Sequence, residues 1–376
     1  MPKFPLIRPD VPPIGDWAPV LEEAYRAGRF SNFGPLSLRL EGILAETWGG
    51  PDSVCVAASS GTAALAAPLI ARGITGRVIL PAFTFPGTLS AIRMAGAEPF
   101  LADVSPVDWR LSADTLVRGL DATGARAAVV LCPFGQRSDF RVHARHLGDR
   151  GGVLVVDNAA GLGIAREPLE TQPWCFEACS LHVTKPFAVG EGGVVFAHRS
   201  QEEGLRRALN FGLTPGRPAD LHGWGINGKL SELHAAVGLA AACGFANRLG
   251  RRRAIVMRYV EALAGFAGIV ACTDPSAATW QFFPLLLPTP EAADRFVAEA
   301  AARGMEIRRY YAPALSFMPD VDRLGPCPVA EDLATRMCCA PVYADATAEE
   351  EAEMAGVFRA SLAAAIKGPA SGAGRS

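Results

Sequence analysis

Between residues 53 and 198 short runs of apolar, largely β-branched residues recur between longer segments whose apolar positions fall three and four apart. Such runs, bounded by Gly, Pro, Asn or Asp, read as strands, and the 3.6-residue spacing reads as helix. Strands are predicted at 54–58, 78–80, 99–104, 127–132, 153–157, 178–182 and 193–197, and helices at 62–72, 87–94, 112–120 and 140–147. Ahead of them, an N-terminal arm leads into an amphipathic helix near 17–27. The turn Ser31-Asn32-Phe33-Gly34-Pro35 then opens a second helix carrying Leu36, Leu40 and Leu44 on one face. Strands alternating with helices predict an α/β fold: a three-layer domain around a mostly parallel sheet.

The pattern changes near residue 240. A helical stretch over 230–263, broken near Gly244, precedes a strand at 281–287, a helix at 291–303, the stretch 305–311, a Pro-rich loop and a last helix over 346–366. This predicts a large domain over 1–240, a smaller C-terminal α+β domain over 241–367, and a Gly/Ser/Ala tail over 368–376 without fixed structure.

Composition narrows the field of functions. Half of the 376 residues are hydrophobic, a fifth are charged, and the formal net charge is −2. That balance is ordinary for a globular protein and argues against nucleic acid or an anionic membrane as the main partner. The run Arg251-Arg252-Arg253 reads as a solvated helix face. The first residues lack the apolar core of a signal peptide, and no apolar stretch is long enough to span a bilayer. Nine cysteines without paired spacing, several in apolar runs (Cys55, Cys132, Cys243), predict buried thiols kept reduced, as in the cytoplasm. Cys175 and Cys179 lack a companion ligand pair, and His143 and His146 read as a solvated pair on one helix face, so no metal site is predicted.

Candidate chemistry begins with lysine. Only four of the 36 basic residues are lysines: Lys3, Lys185, Lys229 and Lys367. In a chain that so prefers arginine, a lysine within the apolar, glycine-rich stretch 179–193 asks for a reason. Lys185 is either a surface residue on a loop or an amine that must lose its proton, since a desolvated lysine attacks carbonyls and an arginine does not. Three further pieces fall at the carboxyl ends of predicted strands, where open α/β sheets bind ligands. Ser60-Gly61-Thr62 is either a capping turn or a phosphate cradle at a helix N-terminus. Asp157 is a helix cap, a metal ligand or the partner of a cationic heterocyclic nitrogen. Phe85 is core or a stacking platform.

Taken together, a lysine for an aldehyde, an acid for a ring nitrogen, a phosphate cradle and a flat face fit pyridoxal 5′-phosphate (PLP). The chain resembles the DegT/StrS family of sugar aminotransferases, of fold type I among PLP enzymes. The likeness runs from about Ser31 to Leu362, through Ser60-Gly61-Thr62-Ala63-Ala64-Leu65, Pro81-Ala82-Phe83-Thr84-Phe85, Gly135-Gln136, Asp157, Ser180-Leu181-His182-Val183-Thr184-Lys185 and Gly190-Glu191-Gly192-Gly193. It continues in Asn210-Phe211-Gly212, Gly225-Ile226-Asn227 and Arg308-Arg309-Tyr310-Tyr311-Ala312-Pro313.

The resemblance implies that Lys185 forms the Schiff base with PLP and shuttles a proton, and that Asp157 keeps the pyridine nitrogen protonated. It implies that Phe85 stacks on the ring and that Ser60, Gly61, Thr62 and Ser180 hold the phosphate. Asn227 would reach in from a second subunit of a homodimer with shared sites, and Arg309 and Tyr310 would shape the substrate pocket. The expected activity is amino transfer, from L-glutamate, onto a nucleotide-linked keto-deoxysugar. The alternatives are a non-nucleotide ketone such as an inosose, or a binding or regulatory protein without turnover. Ala160 stands where relatives commonly carry a glutamine that touches the cofactor, which bears on substrate range. Lys185 argues against the branch that replaces this lysine by histidine.

Overall fold

The computed structural model describes residues 2–164 and 172–367, so the predicted tail at 368–376 lies outside the described residues. All seven strands expected between 53 and 198 form: β1 (Ser53–Ala58), β2 (Arg77–Pro81), β3 (Glu98–Ala102), β4 (Ala127–Leu131), β5 (Val153–Asp157), β6 (Cys175–Ser180) and β7 (Gly193–His198). They build one sheet in the order β1-β7-β6-β5-β4-β2-β3, which Asp322–Arg323 extends to eight strands beside β3. Only β7 runs against its neighbours; the other pairings are parallel. The carboxyl ends of β1, β2, β4, β5 and β6 therefore share one rim.

Successive strand residues face opposite sides of the sheet, and the core divides accordingly. Val78 and Leu80 join Val129 and Val155 beneath the helices Gly61–Ala71 and Pro86–Met94. Ile79, Val130 and Leu154 face the other way, against Ala113–Thr123 and Arg141–Gly148. On that same side Cys55, Cys179, Val194 and Phe196 pack under Pro35–Trp48 and Glu232–Ala242. This is the expected three-layer α/β arrangement.

β6 begins three residues earlier than predicted. Charged Glu177 interrupts the apolar run, but its Oε1 accepts a 2.8 Å hydrogen bond from Asn158 Nδ2 and the strand continues through it.

A second, antiparallel sheet follows, in the order Val270–Ala271, Phe282–Leu286, Met337–Pro341, Arg308–Arg309. The helices Phe245–Ala262, Pro290–Ala302 and Ala348–Lys367 bury Tyr259, Phe296 and Phe358 against it. The helical break predicted near Gly244 is there, with φ +69° at that glycine. The stretch at 305–311 joins the second sheet at Arg308–Arg309, and Met305 bridges to Phe4 of the N-terminal arm. The central strand Met337–Pro341 was not predicted, because Met-Cys-Cys-Ala-Pro carries no β-branched or aromatic residue.

Three expectations are corrected by burial. Arg252 does not belong to a solvated face: it is buried, and its guanidinium donates to the carbonyls of Trp280 (3.2 Å) and Val342 (2.9 Å), pinning its helix to the second sheet. His143 is buried too, its Nε2 2.8 Å from the Leu111 carbonyl and its ring edge-on to Phe140. Cys243 is exposed where the chain leaves Glu232–Ala242. Among the described residues no helix is long and apolar enough to cross a membrane, and no group of three or more His, Cys, Asp or Glu could hold a metal ion.

Candidate active site

The rim is set by glycine as much as by hydrogen bonds. Gly193, the first residue of β7, pairs with both Ala58 and Ser180, so the ends of β1 and β6 lie level. A Cβ on Gly193 would stand 2.5 Å from the Ser60 carbonyl oxygen, and one on Gly61 would stand 2.8 Å from Ser180 Cβ. Without those methyl groups the turn after β1 seats directly on the end of β6. Ser60 caps the helix Gly61–Ala71, its hydroxyl accepting from Ala63 N at 3.1 Å. The first N–H groups of a helix have no partner inside it, and the helix dipole makes that end attractive to anions.

Lys185 sits at the tip of the loop between β6 and β7. The loop closes on itself through Leu181 N to Gly192 O (2.9 Å), Val183 N to Gly190 O (2.8 Å) and Val189 N to Leu181 O (2.9 Å), with φ +102° at Gly190. Lys185 is partly open to the cavity yet surrounded by protein, and that desolvation brings its ammonium down to about 8, against the opposing pull of Asp157 and Cys179. Its Nζ donates to Gln281 Oε1 at 3.0 Å.

Asp157 ends β5 and is 3% exposed. Its Oδ2 accepts 2.6 Å from Thr88 Oγ1, and its Oδ1 accepts 3.2 Å from Ala159 N. Burial raises its pKa, while the Thr88 hydroxyl, the Lys185 charge and the Ala159 N–H act to lower it. Among the described residues it makes no ion pair. A buried carboxylate with a lone pair to spare is costly unless a cationic donor arrives.

One cavity of about 410 Å³ gathers these groups: Ser60, Gly61, Thr62, Phe85, Asp157, Ser180, Lys185 and Tyr310 all line it. Phe85, 57% exposed, is no core residue; it caps the start of Pro86–Met94 and offers a bare ring face. Two of the expected residues lie elsewhere. Asn227 is exposed and outside its own chain's cavity, its Oδ1 accepting 2.8 Å from Lys229 Nζ. The Arg309 guanidinium pairs with Asp294 at 2.6 Å and donates to the Pro290 carbonyl at 3.1 Å. Arg309 does not line the cavity of its own chain; neighbours in a strand face opposite sides, and Arg308 lines it with Tyr310.

Sequence reasoning also missed Thr88, Gln281, Tyr311, His182 and Glu191, which line the same cavity. His182, Glu191 and Tyr311 stand within the motifs quoted above without having been given a role, and Gln281 carries a local signal as a lone polar residue at the head of an apolar strand.

The residues present fit PLP. The Gly61–Ser180 contact leaves a helix N-terminus and hydroxyls where a phosphate can be held, the buried Asp157 carboxylate lacks the cation that a pyridinium nitrogen provides, and Lys185 is a desolvated amine.

Comparison with known proteins points the same way. A profile of the DegT/DnrJ/EryC1/StrS aminotransferase family matches residues 16–359. Protein Mb3436c of Mycobacterium bovis is 29% identical over 323 residues, 83% of this chain and 77% of that protein. The dTDP-4-amino-4,6-dideoxy-D-glucose transaminase of Shigella dysenteriae is 24% identical over 351 residues, 91% of this chain and 94% of that protein. The crystal structure of DesI in the presence of its TDP-sugar product superposes with a TM-score of 0.85 at 25% identity, covering 96% of this chain and 94% of DesI. The fold is that of the fold type I aminotransferases, and the cofactor of the family is PLP. A match over nearly the whole length, on a fold that brings an amine, an acid and a helix N-terminus to one rim, makes this chain a member of the DegT/DnrJ/EryC1/StrS family of PLP-dependent aminotransferases.

Proposed function

We propose that this aminotransferase takes an amino group from L-glutamate and places it on the keto carbon of a nucleotide-linked deoxysugar, working as a homodimer. The observation that carries the reading is the meeting of Lys185, Asp157 and the helix N-terminus at Gly61 in one cavity. Bound there, PLP supplies an aldehyde carbon that takes amines and a ring that withdraws electrons from the adjacent carbon.

The chain supplies the rest. Ser60, Gly61, Thr62 and Ser180 hold the phosphate with hydroxyls and helix N–H groups, and Phe85 covers a ring face. Asp157, kept in place by Thr88, takes the ring N–H and keeps that proton on the nitrogen. Lys185 would anchor the cofactor through its amine, and its Nζ would serve as the base that takes the donor's α-proton and as the acid that returns a proton to the carbon to be aminated.

Arg308, Tyr310, His182 and Glu191 give the cavity wall cationic, phenolic and acceptor groups suited to sugar hydroxyls and a diphosphate. The sugar nucleotides in the names of the Shigella dysenteriae transaminase and of the DesI structure support that substrate class. Exposed Phe211, Leu221 and Trp224 lie on the segment leading to Asn227, and they support a second copy that covers them and receives Asn227.

The test is a visible spectrum of the PLP-loaded protein before and after L-glutamate, followed by a panel of ketones read by mass spectrometry. Conversion by glutamate and amination of a dTDP- or UDP-linked keto-deoxysugar are expected. Amination of an inosose or a free sugar phosphate, with every nucleotide sugar refused, would overturn the acceptor. A spectrum unmoved by glutamate but moved by another amino acid would replace the donor.

A further inference from the structure

We infer that Gln281 is a positioning residue for Lys185: its side-chain amide orients the Lys185 amine, and a strap from the second sheet holds that amide in place. The inference rests on Lys185 being the lysine that takes the cofactor.

The strap is residues 277–281, immediately ahead of the strand Phe282–Leu286. It crosses the rim and touches the loop after each of three parallel strands. The Ala277 carbonyl accepts from Arg137 N at 2.7 Å and Ala278 bridges to Gln136, both beyond β4. Thr279 Oγ1 donates to the Ala160 carbonyl, beyond β5. Gln281 then reaches the Lys185 loop, beyond β6. Ala278, Thr279 and Trp280 are at most 1% exposed and Gln281 is 8% exposed, so packing on both sides fixes where the amide stands.

The orientation of the amide follows from its partners. Gln281 lies 3.0 Å from the Thr184 carbonyl oxygen, which only accepts; the amide nitrogen must therefore face it, with Thr184 Oγ1 3.4 Å away. That turns Oε1, an acceptor only, toward Lys185 Nζ at 3.0 Å. A long side chain with four rotatable bonds thus has one of its three N–H directions specified by a rigid acceptor. At position 160 the chain offers the cavity only a methyl group, and the amide in contact with Lys185 comes from Gln281, at the edge of the second sheet.

The acceptor also favours the ammonium form. Asp157 at the end of β5 and Cys179 in β6 act on the same charge, and His182 and Glu191 line the cavity; none of the four changes when Gln281 is replaced. Removing Oε1 therefore shifts Lys185 toward the free amine, and placing a carboxylate there shifts it toward the ammonium.

The experiment follows acetic anhydride labelling of Lys185 against pH in the cofactor-free full-length chain, read by peptide mass spectrometry, where only four lysines need to be resolved. Wild type should show a midpoint near 8. Gln281→Met keeps length and apolar bulk but cannot accept the bond; its midpoint should move to lower pH. In the loaded enzyme kcat should fall roughly tenfold with little change in KM for the donor, about 1.4 kcal/mol of transition-state stabilisation. Gln281→Glu should move the midpoint to higher pH.

A residue that merely fills space would lower the melting temperature and leave the midpoint where it is, and an unmoved midpoint in Gln281→Met overturns the inference. Should that variant fail to fold, Gln281→Glu is read the same way: an upward shift supports the positioning role and an unmoved midpoint removes it. Because labelling needs no cofactor, a failure here is distinct from a failure of Lys185 as the cofactor lysine, which borohydride reduction of the PLP-loaded protein and of Lys185→Ala reports.

Discussion

Thr88 Oγ1 donates a 2.6 Å hydrogen bond to Asp157 Oδ2 inside the core, from the helix Pro86–Met94 to the end of the strand Val153–Asp157. Thr84 Oγ1 lies 3.0 Å from the Thr88 hydroxyl, so a short chain of hydroxyls leads to the carboxylate. The bond is charge-assisted and buried. Thr88→Val keeps the shape and removes the donor. Activity should fall about 10- to 100-fold, matching the loss of roughly 1.5–3 kcal/mol for a hydrogen bond to a charged group. Since Thr88 holds the Asp157 pKa down, the acid limb of the pH–rate profile should move to higher pH. An unshifted limb would show that Asp157 draws its charge stabilisation from elsewhere.

Lys185→Ala should lower transamination at least ~10³-fold, the range general acid–base catalysis supplies, before counting the lost anchor. Borohydride reduction of the PLP-loaded wild type should fix the cofactor to the peptide containing Lys185, and in the variant it should fix it to none. Ordinary turnover by Lys185→Ala would end the proposed mechanism.

Cofactor loading should depend on pH through the same amine. With the ammonium at about 8, the reactive fraction and the loading rate rise about tenfold per pH unit below that value and level off above it. The stability sign is fixed by the same shift. The folded pKa lies below the ordinary 10.5, so between about 8 and 10.5 the unfolded chain binds more protons. Stability of the cofactor-free protein therefore rises with pH across that window, and below it the cost of burying the ammonium is fully felt. Rapid mixing with PLP and urea melts at several pH values check the two halves separately.

Phe85→Ala removes a ring that is 57% exposed at the cavity wall. Loss of a stacking face should weaken PLP binding about 3- to 10-fold, while the melting temperature of the cofactor-free protein stays nearly constant. Fluorescence titration with PLP measures the first effect and calorimetry the second; a large drop in melting temperature would return Phe85 to the core.

Glu232, fully buried, accepts from Leu36 N at 2.7 Å and from Ser37 N at 3.0 Å, capping the helix Pro35–Trp48 from 196 residues away. Gly34 leaves it room, since a Cβ there would stand 2.5 Å from the Glu232 carboxyl carbon. Glu232→Ala strands two buried N–H groups and should cost about 2–5 kcal/mol in a urea titration. Glu232→Gln, which keeps one acceptor, should recover part of that loss.

The positions of the large sheet's seven main strands were legible along the chain. β4 and β5 are unbroken apolar runs because both their faces are buried, and that signal is local. Lys185 stood out by contrast with a chain that otherwise uses arginine. Ser60-Gly61-Thr62 was visible as a small-residue turn between a strand and a helix, although only the fold shows how closely Ser180 approaches it.

What the sequence determines by itself is therefore what neighbouring residues settle among themselves: periodicity, caps, turns and the scarcity of one amine. Tertiary structure decided the rest. Thr88 meets Asp157 across 69 positions, Gln281 meets Lys185 across 96, and Glu232 meets Leu36 across 196. Arg308 and Arg309 are adjacent and chemically identical, yet one faces the cavity and the other Asp294, because the register of a two-residue strand chose between them. A buried polar group must find its partner wherever the fold brings one, and no local spacing encodes which distant segment that will be.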